Sequence, residues 1–201
     1  AALGIRYGTP EATQMAEHVQ RVLAIAAYGA SVSMAEERGA FEIYDSKREE
    51  ANPFIARIRE AAPALYSRMV AHGRRNIALL TIAPTGTVSL MTQTTSGIEP
   101  VFMPYYRRRR KVNSDDKNAK YTFKDKNGDC FEEFTVFHPK FLVWLETNGY
   151  AVDEVKGRSL EFIDSLVSQS PYHKATANEI DWEEKVRMQG AVQRWVDHSI
   201  S

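Results

Sequence analysis

The chain has 201 residues, enough to bury a sizeable core. Its 26 basic and 26 acidic residues balance to a formal net charge of zero, so no overall field would recruit nucleic acid or an acidic membrane. No apolar run approaches the roughly 20 residues of a membrane span, and the first residues lack a signal-peptide pattern. A single cysteine excludes an internal disulfide framework and favours a reducing compartment. These features predict a cytoplasmic protein that contacts neither membrane nor nucleic acid.

The first part of the chain is predicted to be mainly helical. Residues 9–11 (Thr-Pro-Glu) have the pattern of a helix start, with threonine as N-cap and proline at the first helical position. Apolar residues then recur at helical spacing as far as Gly39, which can end the helix. A second helical stretch begins at residues 52–53 (Asn-Pro), and Pro63 should kink it or split it in two.

An apolar run followed by a tight turn comes next. Residues 77–82 (Ile-Ala-Leu-Leu-Thr-Ile) have the length of a strand, and a run that is apolar on both faces is typical of a strand covered on both sides. Pro84 should end this strand. Thr85, Gly86 and Thr87 can then cap a short helix from Val88 to about Thr94, and the glycine would let a ligand approach the backbone closely.

A helix start of this kind can bind phosphate. The N–H groups of the first helical turn lack partners within the helix, and the peptide dipoles make this end partly positive. The hydroxyls of Thr85, Thr87 and Ser89 would add donors. A P-loop is disfavoured because no lysine follows Gly86. From these residues alone, phosphate binding and an ordinary capped helix without a ligand both stay open.

Extended structure is predicted after this helix. One extended stretch should run as far as Val112. The sequence Lys-Asn-Gly-Asp at residues 126–129 then predicts a β-hairpin with a type I′ turn, because Asn-Gly suits that turn. The arms of the hairpin would be residues 121–123 and 131–137, as an insertion at about 119–137.

Further helices are predicted towards the end of the chain. They should cover about residues 139–148, 159–168 and 182–197. No internal repeat or low-complexity linker separates the elements, so we predict a single domain piece over residues 1–201.

Three other patterns suggest ligands but have simpler interpretations. The basic run at residues 107–111 follows two tyrosines, yet a balanced charge favours salt bridges along a strand over a nucleic-acid groove. Residues 125, 127 and 129 alternate like the start of a calcium loop, but the bidentate acid of such a loop is missing. The five histidines show no i, i+4 pair and no nearby cysteine set, so no metal site is predicted.

Two segments at a fixed separation resemble a known family. Residues 83–89 read Ala-Pro-Thr-Gly-Thr-Val-Ser, and residues 96–100 read Ser-Gly-Ile-Glu-Pro. Together they resemble the late part of the catalytic subunit of ribonucleotide reductase, and most closely its adenosylcobalamin-dependent (class II) type. Agreement at residues 30–41, 106–109 and 196–201 extends the resemblance over nearly the whole chain.

The resemblance implies an α/β fold, namely part of a ten-stranded α/β barrel, here a helix-rich fragment with a β-hairpin. It also implies the C-terminal part of a ribonucleoside-diphosphate reductase, which reduces ribonucleotides to 2′-deoxyribonucleotides by radical chemistry for DNA synthesis. In that family the matching turn holds the substrate phosphates through backbone N–H groups. The implied site consists of the turn and of neighbours that support it. The turn residues are Thr85, Gly86, Thr87, Val88 and Ser89, and the supporting residues are Ala83, Pro84, Gly97 and Glu99.

The cysteine count limits what this chain does alone. The family's reaction needs a thiyl radical and a pair of reducing thiols, whereas Cys130 is the single cysteine here. We interpret Cys130 as structural or incidental, and expect the catalytic residues outside residues 1–201. The fragment is then inactive alone and works with the remainder of the reductase polypeptide or a companion chain, as a homodimer in the full protein. Adenosylcobalamin would be bound mainly by parts outside this fragment, or only partly within it.

Two alternatives stay open at this point. Class I reductases, which use a metal cofactor in a separate radical subunit, share the barrel and a related phosphate turn. A stand-alone nucleotide-phosphate-binding module without catalysis would also need this turn. The substrate is a ribonucleoside diphosphate or triphosphate, and the sequence does not decide which.

Overall fold

A computed structural model describes residues 3–112 and 121–200 of the chain. The chain divides into two compact units, each built from two separate stretches. We call Gly8–Thr85 with Asp181–Ser201 the helical unit, and Ala1–Tyr7 with Gly86–Ile180 the sheet unit.

The described residues form nine helices and three strands. In chain order they are α1 (Pro10–Arg38), α2 (Ser46–Glu49), α3 (Pro53–Ala61), α4 (Pro63–His72), α5 (Gly86–Thr92), β1 (Tyr105–Val112), β2 (Phe123–Lys124), β3 (Cys130–Phe137), α6 (Pro139–Thr147), α7 (Val152–Lys156), α8 (Leu160–Gln169) and α9 (Trp182–Gln193). None of these helices is both long enough and apolar enough to cross a membrane.

The ends of the first helices follow from their sequence. Thr9 is the N-cap of α1, and its hydroxyl oxygen accepts a hydrogen bond from the amide of Ala12 at 3.3 Å. Gly39 ends α1 with φ 79°, a value that glycine adopts without strain. The predicted split at Pro63 is confirmed, because α3 stops at Ala61 and α4 begins at the proline.

The core of the helical unit lies around α1, which contacts both α4 and α9. Tyr28 and Val32 of α1, Ile58 of α3 and Met69 of α4 are each at most 1% exposed. Burying side chains of this size stabilises the fold by about 1.5–3 kcal/mol each. Ala24 of α1 is fully buried as well.

The sheet unit contains one small antiparallel sheet with strand order β1-β3-β2. Tyr105 faces Phe137 at one end of the β1–β3 pair, and Val112 faces Cys130 at the other. The unit's core lies between this sheet and the helices that follow it. Its buried members are Val101, Phe137, Phe141, Leu145, Val155, Ile163, Leu166 and Tyr172.

The predicted hairpin is present, but its turn type was wrong. β2 and β3 pair antiparallel around residues 125–129, and Gly128 has φ 87°. A type I′ turn also needs positive φ at the residue before the glycine, and Asn127 does not have it. The carboxylate of Asp125 accepts the amides of Asn127 and Asp129, both at 2.9 Å, and thereby closes a longer loop.

The predicted strand at residues 77–82 is only partly formed. Its pairing among the described residues is one parallel bridge, between Ile82 and Ile200. Leu80 is 8% exposed, whereas Ile77 is 58% exposed, so the run is not covered on both faces in this chain. The helix-rich fold with a small sheet is therefore as predicted. A ten-stranded barrel is not shown by these residues.

Candidate functional site

The predicted phosphate turn lies where the chain passes from the helical unit to the sheet unit. Thr85, the last residue of the helical unit, has φ 49°, in the left-handed region. A β-branched residue adopts this region rarely and at a cost of about 1–3 kcal/mol. Gly86 then begins α5, so the predicted helix is present but starts two residues before Val88.

The backbone at the start of α5 is open. Gly86 and Thr87 are exposed, and Val88 is 56% exposed. A Cβ atom added at Gly86 would meet no heavy atom within 4 Å. In the described parts of the chain, the amides of Gly86, Thr87 and Val88 have no hydrogen-bond acceptor. Three donors at a partly positive helix end thus face open space.

Ser89 occupies a different environment from the rest of the turn. It is 8% exposed, and its hydroxyl donates to the carbonyl of Gly86 at 2.7 Å. The same hydroxyl lies 3.4 Å from that of Ser96. The Ser89 side chain therefore braces the helix start from inside and links it to the second motif, at residues 96–100.

The second motif forms a turn of its own. Gly97 has φ 52°, and the amide of Glu99 donates to the carbonyl of Ser96 at 3.1 Å. The hydroxyl of Tyr7 donates to the carbonyl of Ile98 at 2.7 Å. The contact between the Ser89 and Ser96 hydroxyls thus joins the helix start to the second motif within the sheet unit. Ala83 and Pro84, the other predicted supports, belong to the helical unit and are exposed.

A cavity of about 190 Å³ lies within the sheet unit, beside the second motif. Its lining residues are Tyr7, Thr94, Thr95, Glu99, Pro100, Val101, His138, Lys140, Pro171, Tyr172 and Ala175. Burial raises the pKa of Tyr172 to about 12, and burial together with the charge of Glu99 does the same for Tyr7. Both phenols are therefore neutral hydrogen-bonding groups near pH 7.

His138 is a neutral group in the same cavity. Burial, and to a smaller degree the charge of Lys140, lowers the pKa of its imidazole. Its Nδ1 accepts the amide of Lys140 at 3.2 Å, which makes His138 the N-cap of α6. This histidine was not singled out from the sequence, because an N-cap histidine followed by proline has no distinctive spacing.

The basic run in β1 is paired with acids across the sheet. Arg107 and Arg109 both donate to Glu133, at 2.9 and 2.8 Å. Arg110 donates to Glu132 at 2.5 Å, and the ammonium of Lys111 lies 2.6 Å from Asp129. The interpretation as salt-bridge partners along a strand is confirmed.

The remaining sequence candidates carry no site in the described residues. No group of three or more histidine, cysteine, aspartate or glutamate side chains is arranged there to hold a metal ion. Cys130 is a free thiol, 5% exposed, at the start of β3. It packs as a small apolar residue, as its structural interpretation predicts.

An arginine-centred network in the helical unit was missed from the sequence. Arg74 is 4% exposed, and its guanidinium forms a two-pronged ion pair with Glu49. The rings of Tyr28, Phe41 and Tyr44 lie 5.3–5.8 Å from the guanidinium carbon. Nothing in the local sequence distinguishes Arg74 from the exposed Arg75 beside it.

Comparison with known proteins identifies the family to which this fold belongs. The model of the ribonucleotide reductase barrel domain matches residues 1–201. The chain belongs to this family.

Individual relatives agree with the family match. The chain is 38% identical over 109 residues, or 54% of its length, to a protein of Mycobacterium tuberculosis named vitamin B12-dependent ribonucleoside-diphosphate reductase. It is 27% identical over 200 residues, or 99% of its length, to a protein of the same name from Thermoplasma acidophilum. It is 27% identical over 114 residues, or 55% of its length, to the ribonucleoside-diphosphate reductase subunit alpha of Treponema pallidum. These matches cover 13%, 22% and 14% of the three relatives' lengths.

Proposed function

We propose that this chain is part of a ribonucleoside-diphosphate reductase and supplies the turn that binds the substrate phosphates. The family match covers the whole chain, and all three relatives described above are named as ribonucleoside-diphosphate reductases. The reaction is the reduction of a ribonucleotide to a 2′-deoxyribonucleotide. The thiols that the reaction needs come from outside this chain, which has one cysteine.

The open helix start at Gly86 is the observation that carries the proposal. Three amide donors there have no acceptor in the described chain, and a glycine leaves room for an anion to approach. The left-handed backbone conformation of Thr85 also supports a functional role for this turn, because strained backbone conformations cluster at functional sites. Open amides occur at the start of any helix, but an ordinary helix cap does not need a left-handed threonine.

The turn would act by positioning. Phosphate contacts are remote from the reacting ribose carbons, yet they fix where the ribose lies relative to the attacking group, so a misplaced phosphate would cost rate. In this proposal the amides of Gly86, Thr87 and Val88 bind the phosphate oxygens. Ser89 holds the helix start in place through its bond to the Gly86 carbonyl.

We further propose that the chain contributes to a ten-stranded α/β barrel. The barrel-domain match and the parallel bridge between Ile82 and Ile200 support this arrangement. The remainder of the reductase polypeptide would supply the other strands. Assembly of the complete protein as a homodimer stays a prediction.

Adenosylcobalamin is the cofactor that the relatives' names favour. The cavity in the sheet unit, at about 190 Å³, is far too small for a corrin ring. The residues that line this cavity therefore do not form a cobalamin site, and we assign cofactor binding mainly to other parts of the reductase. When bound, the cofactor supplies the radical.

A class I reductase is the second candidate. It is favoured by the match to the subunit alpha of Treponema pallidum, whose name does not include vitamin B12. Addition of adenosylcobalamin to the complete protein separates the two, because turnover that requires it indicates class II.

A substitution at Gly86 tests the phosphate turn. In the complete reductase, Gly86→Val should raise KM for the ribonucleotide about tenfold or more, since losing one hydrogen bond to a charged group costs about 1.5–3 kcal/mol. Steady-state kinetics measures the effect. Gly190→Val is the matched control, because a Cβ at that position in α9 also meets no atom within 4 Å. Unchanged KM in Gly86→Val would contradict the proposal.

A further inference from the structure

One carboxylate in the helical unit accepts three hydrogen bonds. Oδ1 of Asp197 accepts the amide of Leu80 at 2.7 Å, and Oδ2 accepts the amide of Leu79 at 2.8 Å. Oδ2 also accepts the hydroxyl of Tyr28 at 2.8 Å. The amides belong to the apolar run that leads to the phosphate turn.

Asp197 begins a longer contact with this run. The amide of His198 donates to the carbonyl of Leu80 at 3.1 Å. The carbonyl of Ser199 then accepts the amide of Ile82 at 3.2 Å and the hydroxyl of Thr81 at 2.9 Å. Residues 197–199 therefore hold the run up to Ile82, three residues before Thr85.

The other end of the run is fixed independently. The guanidinium of Arg74 donates to the carbonyls of Asn76 and Ile77, each at 3.1 Å. The hydroxyl of Ser31 bonds to both the side chain and the amide of Asn76, each at 3.0 Å. Arg74 and Ser31 hold the start of the apolar run at residues 77–82. The direction in which this run continues towards Thr85 then depends on residues 197–199.

A carboxylate suits this position better than any other side chain of its size. The amides of Leu79 and Leu80 are consecutive in the chain, and each needs an acceptor. In a regular strand successive N–H groups point to opposite sides, so two adjacent amides that bond to one group show a local departure from strand geometry. Two carboxylate oxygens satisfy both amides, whereas an asparagine would offer one acceptor and place an NH₂ donor against the other amide.

We infer that Asp197 is a positioning residue for the phosphate turn: by fixing residues 79–82 it sets the position of Thr85, the first residue of that turn. This inference rests on the proposed function. It gives Asp197 an indirect role in substrate binding, through the backbone of residues 79–82.

The test compares ligands with and without phosphate. In the complete reductase, Asp197→Asn should weaken binding of the ribonucleoside diphosphate about tenfold, while the inhibition constant of the corresponding nucleoside changes less than about twofold, because only the former uses the turn. Equal weakening of both ligands, or of neither, would show that Asp197 acts on the fold alone.

Two further variants keep the test decisive. Thr81→Val removes an exposed hydroxyl bonded to Ser199, so it preserves the fold and should weaken diphosphate binding two- to threefold even where Asp197→Asn does not fold. Tyr28→Phe leaves both backbone bonds to Asp197 and should leave diphosphate binding within about twofold. These factors are on the order expected for one neutral hydrogen bond or less.

Gly86→Val, measured alongside, separates the two proposals. If Gly86→Val weakens diphosphate binding while Asp197→Asn and Thr81→Val do not, the positioning role is wrong and the phosphate turn stands. If Gly86→Val also has no effect, the phosphate turn itself is wrong.

Discussion

The two units of this chain use the same kind of ion pair in opposite settings. In the helical unit the side chain of Arg74 is 5% exposed and that of its partner Glu49 is 19% exposed. In the sheet unit the side chains of Arg109 and Arg110 are each 68% exposed and pair with acids across two strands. A count of ion pairs does not distinguish a buried pair from an exposed one. The difference in burial does.

The reason is the solvent around each pair. Exposed pairs are screened by water and salt and typically contribute about 0–1 kcal/mol. A buried charge whose partner is removed loses its compensation, and such a change costs about 3–5 kcal/mol. Arg74 also donates to the carbonyls of Asn76 and Ile77, so the same guanidinium that pairs with Glu49 also fixes the backbone at these two residues.

The largest expected effect is at Arg74. Arg74→Met should lower the free energy of unfolding by about 3–5 kcal/mol, because it leaves the Glu49 carboxylate and two carbonyls without their donor. Urea unfolding of the complete protein measures the change. A loss below about 1 kcal/mol would mean that the buried pair is no stronger than an exposed one.

A second prediction concerns Gly73, next to Arg74, and compares its packing with that of a glycine in the sheet unit. A Cβ at Gly73 would lie 2.5 Å from the Cβ of Ala40, and the residue has φ 73°. Gly73→Ala should therefore cost about 2–4 kcal/mol, within the range for overpacking combined with backbone strain.

The matched change is Gly128→Ala in the hairpin of the sheet unit. Gly128 has φ 87°, but an added Cβ would meet no atom within 4 Å. Only the backbone strain of an alanine at positive φ should therefore lower the free energy of unfolding, by about 1–2 kcal/mol. Thermal unfolding of both variants gives the difference. Equal losses would show that crowding at Ala40 contributes nothing.

The sheet's ion pairs should give a smaller effect. Arg110→Ala should change the free energy of unfolding by less than about 1 kcal/mol, because the pair with Glu132 is exposed. The difference should shrink further in about 1 M salt, where the screening length is about 3 Å. A loss that is large and insensitive to salt would contradict the comparison.

The pH dependence of stability tests one residue of the sheet unit, His138. The pKa of His138 is lowered in the folded chain, so the neutral imidazole stabilises the fold above the unfolded pKa of about 6.5. This contribution is lost as the pH falls below that value and through the folded pKa. His138→Asn keeps an N-cap oxygen but does not titrate, so the variant should lose less stability than the wild type between pH 7.5 and 5. The same loss in both proteins would exclude His138 as the source.

Local signals in the sequence predicted local structure well. Thr9, Pro63 and Gly86 each act within one helical turn, and all three mark helix boundaries in the structure. The short helices α2 and α7 were missed, since four or five residues are too few to show a helical period. The hairpin was found from Asn-Gly, but the side chain of Asp125 decided the turn.

Contacts over long sequence distances were not predictable. The burial of Arg74 depends on Glu49 and on three aromatic rings from separate segments. Asp197 was recognised only as part of a matching segment, and its bonds to Leu79 and Leu80 leave no trace in residue spacing. In the candidate site, sequence placed the turn at Gly86, but the inward bond of Ser89 needed coordinates.

The distance along the chain between Leu79 and Asp197 also sets an order of events during synthesis. The acceptor for the Leu79 amide is made 118 residues later, which at 5–20 residues per second is a delay of about 6–24 s. During that time residues 77–82, an uncharged apolar hexapeptide without proline, carry unpaired amides and fit the pattern of an aggregation-prone segment. A nascent chain should therefore depend on chaperones until residues 197–199 have left the ribosome, and deletion of these residues should prolong that dependence.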